Sequence, residues 1–259
     1  MQTLCSVAPR RFRVYRLLSR LAPDRYEIFR AEGGLIYLNL HESAAMVQRA
    51  MGAYEPAKHV LIRRHLRPGM TFVDVGANKG DFTLLAARLA GNSGTVISIE
   101  PEPENHSILQ RSIELNDYAN IRVLHVALSD RDGVANLLIG STSGSHTLSP
   151  EFNGLRTVSV PTKTLDGVVA EERLGTVDMI KIDVQGLELA VLRGASQTIG
   201  ANHRIVLLLD LPKQSEKRRA IAEFLAPFGF TYFPDCDETE PTREIPPAGF
   251  EVAAMRIQS

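Results

Sequence analysis

Glycine and acidic residues are concentrated after two apolar runs of the sequence. The first run, Phe72–Val75, contains Asp74 and leads into the turn 76–80, and the second run, Thr95–Ile99, ends at Glu100. Glycine at both ends of a tight turn lets the backbone approach a ligand, because no Cβ intervenes. A carboxylate about 20 residues after such a turn is where ribose hydroxyls are bound in nucleoside sites. The spacing therefore predicts a nucleoside-binding site.

The charge of Asp74 indicates which kind of nucleoside to expect. A dinucleotide site carries the pattern G-x-G-x-x-G, with a helix N-terminus aimed at a pyrophosphate. Here Asp74 stands where that pattern would open, and its negative charge would repel a pyrophosphate. The same charge suits a nucleoside with a cationic sulfur and an ammonium group at its amino-acid end. S-adenosylmethionine is therefore expected, and an NAD(P)-linked oxidoreductase is disfavoured.

Three further side chains are candidates for catalysis. Transfer of a group from such a cofactor requires alignment of the reactants, and a base helps an acceptor that must lose a proton. Asp183 follows an apolar run and is the first candidate, with cofactor binding or helix capping as equal alternatives. His146 lies in a loop of small polar residues that could cover the site, and histidine exchanges protons near neutral pH. Asp210 ends another apolar run and could join Asp183, as a base or as a ligand of Mg²⁺, but a metal is not favoured because two carboxylates are few.

Alternating strands and helices must position these residues. From about Thr71 onwards, runs rich in Val, Ile and Leu alternate with helical patterns, as in a parallel sheet that is covered on both faces. Two extended segments, Val134–Ile139 and Arg156–Val160, interrupt the alternation. Ligands of such sheets bind at the carboxyl ends of the strands. The pattern predicts one doubly wound α/β domain over residues 54–259, with the four carboxylates named above at the ligand-binding end.

Residues 1–53 are expected to form an N-terminal extension. The segment from Arg10 to Arg20 has five arginines and no acidic residue, and four apolar residues recur at helical spacing: Val14, Leu17, Leu18 and Leu21. This pattern predicts a basic amphipathic helix. We expect the helix to lie on the domain with its arginines in water, and a role at a membrane surface or a partner is the alternative. Leu35–Leu40 predicts a short strand.

Composition limits the partners of the chain. The formal net charge of −1 gives no strong field for nucleic acid, so a small molecule is the expected partner. The two cysteines, Cys5 and Cys236, form no metal-binding pattern, and a reducing, cytoplasmic compartment is the simpler interpretation. No apolar run is long enough to span a bilayer. Homo-oligomerisation stays open.

Five motifs resemble the FkbM family of methyltransferases, in the order and spacing of that family. They are Asp74–Gly80, Glu100–Pro101, Val126–Asp130, Val160–Asp166, and Ile180–Glu188 followed by Val191–Gly194. The resemblance extends from about Tyr54 to about Phe233. It implies the class I methyltransferase fold, which is Rossmann-like: a seven-stranded, mostly parallel sheet with helices on both faces and an antiparallel last strand.

The resemblance also implies an activity and a set of binding residues. Members of the family mostly methylate hydroxyl groups of sugars or secondary metabolites with S-adenosylmethionine. The turn would hold the methionine portion, Glu100 the ribose, and the segment around Ala127 the adenine. The complete set of cofactor-binding candidates is Asp74, Gly76, Ala77, Asn78, Gly80, Glu100, Pro101, Ala127 and Leu128.

Gln185 departs from the family pattern, which usually has glutamate at this position. If that glutamate is a base or a ligand, this chain has lost it, because an amide takes no proton at neutral pH. A non-catalytic nucleoside-binding protein is therefore one alternative. An amine or carboxylate acceptor on the same scaffold is the other.

Overall fold

The computed structural model describes residues 9–140, 156–246 and 251–256. The N-terminal part contains α1 (Pro9–Leu21), β1 (Tyr26–Ala31), β2 (Gly34–Asn39), α2 (Ala44–Ala50) and α3 (Pro56–His65). The middle part contains β3 (Thr71–Val75), α4 (Asp81–Ala90), β4 (Thr95–Ile99), α5 (Pro103–Glu114), β5 (Ile121–Leu124), β6 (Ala127–Leu128) and β7 (Gly133–Ile139). The last part contains β8 (Arg156–Lys163), α6 (Leu165–Glu171), β9 (Met179–Ile182), α7 (Glu188–Arg193), α8 (Ser196–Ala201), β10 (Val206–Asp210), α9 (Ser215–Leu225), β11 (Thr231–Pro234) and β12 (Glu251–Met255).

A seven-stranded sheet forms the centre of the molecule. Its strand order is β5-β4-β3-β9-β10-β12-β11. The strands from β5 to β10 are parallel, whereas β12 runs antiparallel to both of its neighbours. The chain moves outward from β3 to β5, and then returns to add β9 on the other side of β3. This reversal is the point where such sheets bind ligands. The expected class I architecture with an antiparallel last strand is confirmed.

Helices cover both faces of this sheet because successive strand residues point to opposite sides. On one face, Phe72 packs with Leu61 of α3 and Leu85 of α4. On the other face, Val73 packs in a cluster with Val191 of α7 and Ile221 of α9. All six side chains are at most 1% exposed. The Val-, Ile- and Leu-rich strand runs are thus explained by burial on two sides.

The N-terminal extension differs from its prediction in two ways. Helix α1 is present and packs against α2, but its four apolar side chains at positions 14, 17, 18 and 21 are 40–73% exposed, so this apolar face is not buried on the domain. The predicted strand is β2, which pairs with the unpredicted β1 in a hairpin. Ile36 of the hairpin packs with Met46 of α2 against Leu84 of α4. The extension therefore contacts the helix that follows the glycine turn.

The interruption in the strand–helix alternation forms a separate small sheet. Strand β8 pairs antiparallel with β7 and parallel with β6. The two extended segments predicted there are confirmed. Residues 141–155, which include His146, lie outside the described residues. No helix in the described part of the chain is long and apolar enough to cross a membrane.

Candidate active site

A cavity of about 190 Å³ opens where strands β3, β4, β9 and β10 end. Eight of the candidate catalytic and cofactor-binding residues line it: Gly76, Asn78, Glu100, Pro101, Ala127, Leu128, Asp183 and Asp210. Asp74, Ala77 and Gly80 do not line it. The carboxyl ends of the strands therefore bring together most of the predicted site.

The glycine turn is locked between two neighbouring strands. The backbone N–H groups of Gly76 and Ala77 both donate to the Ile99 carbonyl, at 3.0 Å each. Gly76 has φ +79°, and a Cβ added to it would lie 2.0 Å from the Asp183 carbonyl oxygen. Only glycine fits there, because the backbone after β9 contacts the turn directly. The turn is consequently fixed in place beside Asp183.

Glu100 is a buried carboxylate held by backbone donors. Its Oε2 accepts from Asn78 N–H at 2.7 Å, and its Oε1 accepts from Glu102 N–H at 3.0 Å. The residue is 4% exposed. Burial raises its pKa to about 7, against the opposing effect of these two donors. A hydrogen bond with the Asn105 side chain also favours the charged form of Glu100.

Asp74 requires a correction to its expected electrostatic role. Its side chain is fully buried beneath the turn, where Oδ2 accepts from the Thr83 hydroxyl at 2.7 Å. Lys181 Nζ lies 3.2 Å from Asp74 Oδ1 and donates to the Gly76 carbonyl at 3.1 Å. Asp74 therefore neutralises Lys181 and supports the turn, and it presents no free charge to a ligand.

Asp183 is half-buried and follows β9 at the wall of the cavity. Its backbone N–H donates to the Val75 carbonyl at 3.1 Å, which fixes it beside the end of β3. Gln185 has φ +54°, and its Nε2 donates to Asp183 Oδ1 at 2.8 Å. The glutamine thus orients the carboxylate of Asp183.

Asp210 lies at the same wall but has a buried partner. Lys58 Nζ contacts Asp210 Oδ2 at 2.5 Å and Glu55 Oε2 at 2.8 Å, and the Lys58 side chain is 0% exposed. Burial alone would lower the pKa of Lys58, but these two carboxylates outweigh it and raise that pKa well above its ordinary value. Lys58 in turn lowers the pKa of Glu55 to about 2, against the effect of burial. Asp210 is therefore held in an ion pair.

The sequence profile of the methyltransferase FkbM domain matches residues 74–237, which is more than half of the chain. The chain belongs to the FkbM methyltransferase family. Methyltransferase sdnD of Sordaria araneosa is 30% identical over 156 residues, which cover 48% of this chain and 60% of that protein. The 2-O-methyltransferase NoeI of Sinorhizobium fredii is 25% identical over 171 residues, which cover 58% of this chain and 69% of that protein.

A solved structure supports the fold. Methyltransferase FkbM from Methylobacillus flagellatus superimposes with a TM-score of 0.50 at 15% identity, covering 95% of this chain and 59% of that one. At this identity the likeness concerns the fold alone.

A further sequence relative is methyltransferase 1 of Beauveria bassiana. It is 28% identical over 142 residues, which cover 47% of this chain and 57% of that protein. The chain thus spans about three fifths of the length of sdnD and of methyltransferase 1.

The cavity has further lining residues that were not assigned from the sequence. Arg49, Glu55, Asn105 and Leu137 line the cavity, as does Tyr54, which was noted only as the start of the resemblance. Arg49 comes from α2, an element that the sequence pattern did not reveal. Its position in the cavity depends on how the extension packs against the domain, which the sequence pattern does not show.

Asp183 and Asp210 are the two residues that were considered as ligands of Mg²⁺. Within residues 9–140, 156–246 and 251–256, no group of three His, Cys, Asp or Glu side chains is arranged to hold a metal ion. Asp210 and Asp183 share the cavity wall, and Asp210 Oδ2 is paired with Lys58. The described residues therefore provide no support for the Mg²⁺ hypothesis.

Proposed function

We propose that the chain transfers a methyl group from S-adenosylmethionine to a hydroxyl group of a sugar or another small metabolite. Membership of the FkbM family supports methyl transfer, and the relative NoeI, whose name describes a 2-O-methyltransferase, supports a hydroxyl acceptor. The observation that carries the proposal is the cavity that unites Glu100, the glycine turn and Asp183 at the strand ends.

The cavity fits the parts of this cofactor. Ala127, Leu128 and Leu137, each at most 5% exposed, form an apolar end that suits an adenine ring. Glu100 suits the ribose hydroxyls, and Glu55 and Asp210, which together carry one negative charge more than their shared partner Lys58 neutralises, suit a cationic group. Gly76, Asn78, Glu100, Pro101, Ala127 and Leu128 would hold the cofactor. When bound, the cofactor supplies an electrophilic methyl group on a positively charged sulfur.

Asp183 is the residue that we assign to the acceptor hydroxyl. Gln185 occupies Asp183 Oδ1 and leaves Oδ2 to accept the hydroxyl proton. The acceptor oxygen then attacks the methyl carbon, the carbon–sulfur bond breaks, and its electron pair stays on sulfur. Orientation of the two reactants supplies about 7–11 kcal/mol of barrier lowering in well-aligned reactions, and a positioned base adds about 10²–10⁴-fold.

Replacement of Asp183 by asparagine tests this role. We expect Asp183→Asn to lower kcat for methyl transfer to a hydroxyl acceptor by about 10²–10⁴-fold, while the Kd for S-adenosylhomocysteine changes less than threefold. The transfer is followed with a labelled methyl group against a panel of hydroxylated sugars and metabolites. Calorimetry measures the Kd.

Asp117→Asn is the matched control, because Asp117 is exposed and does not line the cavity. This variant should behave as the wild type in both measurements. A large loss of S-adenosylhomocysteine affinity in Asp183→Asn would assign Asp183 to cofactor binding instead. Absence of labelled product from the wild type with every acceptor, despite binding of S-adenosylhomocysteine, would favour the non-catalytic alternative.

A further inference from the structure

Arg49 is a buried cation that the methyl-transfer chemistry does not use. It lies on α2, is 7% exposed and lines the cavity. Among the described residues that line the cavity, it is the only lysine or arginine. Burial of an unpaired charge is costly, so a side chain of this kind requires a partner.

The guanidinium is oriented by an aromatic ring. Arg49 Cζ lies 3.7 Å from the centroid of the Tyr54 ring, which covers one face of the planar group. Its Nε is buried and has no hydrogen-bond partner in the part of the chain that the structure describes. Stacking leaves the N–H groups at the edge of the plane able to donate. This edge matches a carboxylate, which accepts two parallel hydrogen bonds from a guanidinium.

Among the described residues of the cavity lining, Arg49 is the one at which an anion can bind. The nearby cations are already paired, Lys58 with Asp210 and Lys181 with Asp74. The other charged side chains of the lining are acidic, and they suit a cation. S-adenosylmethionine carries a sulfonium and an ammonium group, and its amino-acid end also carries one carboxylate.

We propose that Arg49 binds the carboxylate at the amino-acid end of the cofactor. The inference rests on the proposed function, since it assumes that cofactor. Asp81, Glu55 and Asp183 all act electrostatically on Arg49, which places its charge near the end of the glycine turn and away from the apolar end of the cavity. An acidic methyl acceptor would also offer a carboxylate to Arg49. The test below distinguishes binding of the acceptor from binding of the cofactor.

Two ligands that differ in the amino-acid end test the proposal. S-adenosylhomocysteine carries the carboxylate, whereas 5′-methylthioadenosine keeps adenine, ribose and sulfur but lacks the amino-acid end. We expect Arg49→Gln to weaken binding of S-adenosylhomocysteine by about 10–100-fold, the range for a hydrogen bond to a charged group. Binding of 5′-methylthioadenosine should change less than twofold. Calorimetry on the wild type and the variant measures both.

Arg193→Gln is the matched control, because Arg193 is exposed and lies outside the lining. It should leave both affinities unchanged. An equal loss for both ligands in Arg49→Gln would mean a structural role and would overturn the proposal. Unchanged affinity for both ligands would overturn it as well, and a raised KM for an acidic acceptor in that case would assign Arg49 to the acceptor.

A second measurement keeps the proposal falsifiable if Arg49→Gln fails to fold. The decarboxylated analogue of S-adenosylhomocysteine, titrated into the wild type, should bind at least tenfold more weakly than S-adenosylhomocysteine itself. Equal affinities would overturn the proposal. Failure of the wild type to bind any of these nucleosides would instead contradict the proposed function.

Discussion

Glu100 couples the binding of a nucleoside to pH. Burial raises its pKa to about 7, so that the protonated form is the major one below that pH. Ribose hydroxyls are bound best by the charged form, because both of its oxygens accept hydrogen bonds. Below about pH 7, a ligand that prefers the charged form binds only when Glu100 loses its proton. Affinity is therefore complete above about pH 7 and is lost as the pH falls through this value.

Calorimetry with 5′-methylthioadenosine between pH 5.5 and 8.5 measures this coupling at the ribose alone. We expect the Kd of the wild type to be constant above about pH 7 and to rise toward tenfold per unit below it. Glu100→Gln should bind more weakly at pH 8 and show no such rise. A Kd of the wild type that is flat over the whole range would contradict the role assigned to Glu100.

The charges at the site show where sequence-based inference ends. Glu100 was predictable because its distance along the chain from the glycine turn is set by one strand–helix–strand unit. Asp74 was expected to face a ligand, but Lys181 neutralises it from the adjacent strand β9. Lys181 is 107 positions further along the chain, and its pairing depends on strand register, which the sequence pattern does not specify.

At the scale of elements, the contact between the turn after β3 and the backbone after β9 determines the shape of the site. Gly76→Ala would add a Cβ at 2.0 Å from the Asp183 carbonyl oxygen, at a residue with positive φ. We expect a loss of about 2–4 kcal/mol in the free energy of unfolding, the sum of backbone strain and a steric clash. The variant should also bind S-adenosylhomocysteine at least tenfold more weakly, because the turn must move.

Gly229→Ala separates the cost of backbone strain from the cost of the steric clash. Gly229 has φ +69°, and a Cβ added there meets no atom within 4 Å. It should lose only about 1–2 kcal/mol, the cost of the left-handed backbone, and keep its affinity for the ligand. Urea unfolding measures both variants. Equal losses in Gly76→Ala and Gly229→Ala would show that the clash with Asp183 has no consequence.

The elements themselves were partly predictable. The strands of the central sheet are buried on two sides and have long Val-, Ile- and Leu-rich runs, so their patterns were clear. Helices α6 and α8 were not predicted, since they have only 7 and 6 residues and such short segments show little periodicity. Helix α2 was missed for the same reason, with 7 residues, and Arg49 was missed with it.

At the scale of the whole molecule, the N-terminal extension is part of the site. His59 of α3 contacts Glu32 of the hairpin turn at 3.0 Å and Asp81 of α4 at 3.0 Å, which ties the extension to the helix after the glycine turn. Arg49 of α2 lines the cavity. The expected boundary at residue 54 marks a change of sequence pattern, but the cavity has residues from both sides of it.

The central claim is that the cavity at the strand ends holds the methyl-donor nucleoside. A crystal structure of the protein with S-adenosylhomocysteine tests it most directly. We predict ribose hydroxyls within hydrogen-bonding distance of the Glu100 carboxylate, the adenine ring against Ala127 and Leu128, and the sulfur on the side of Asp183. A nucleoside bound elsewhere, or a cavity that stays empty in crystals grown with saturating ligand, would contradict the account.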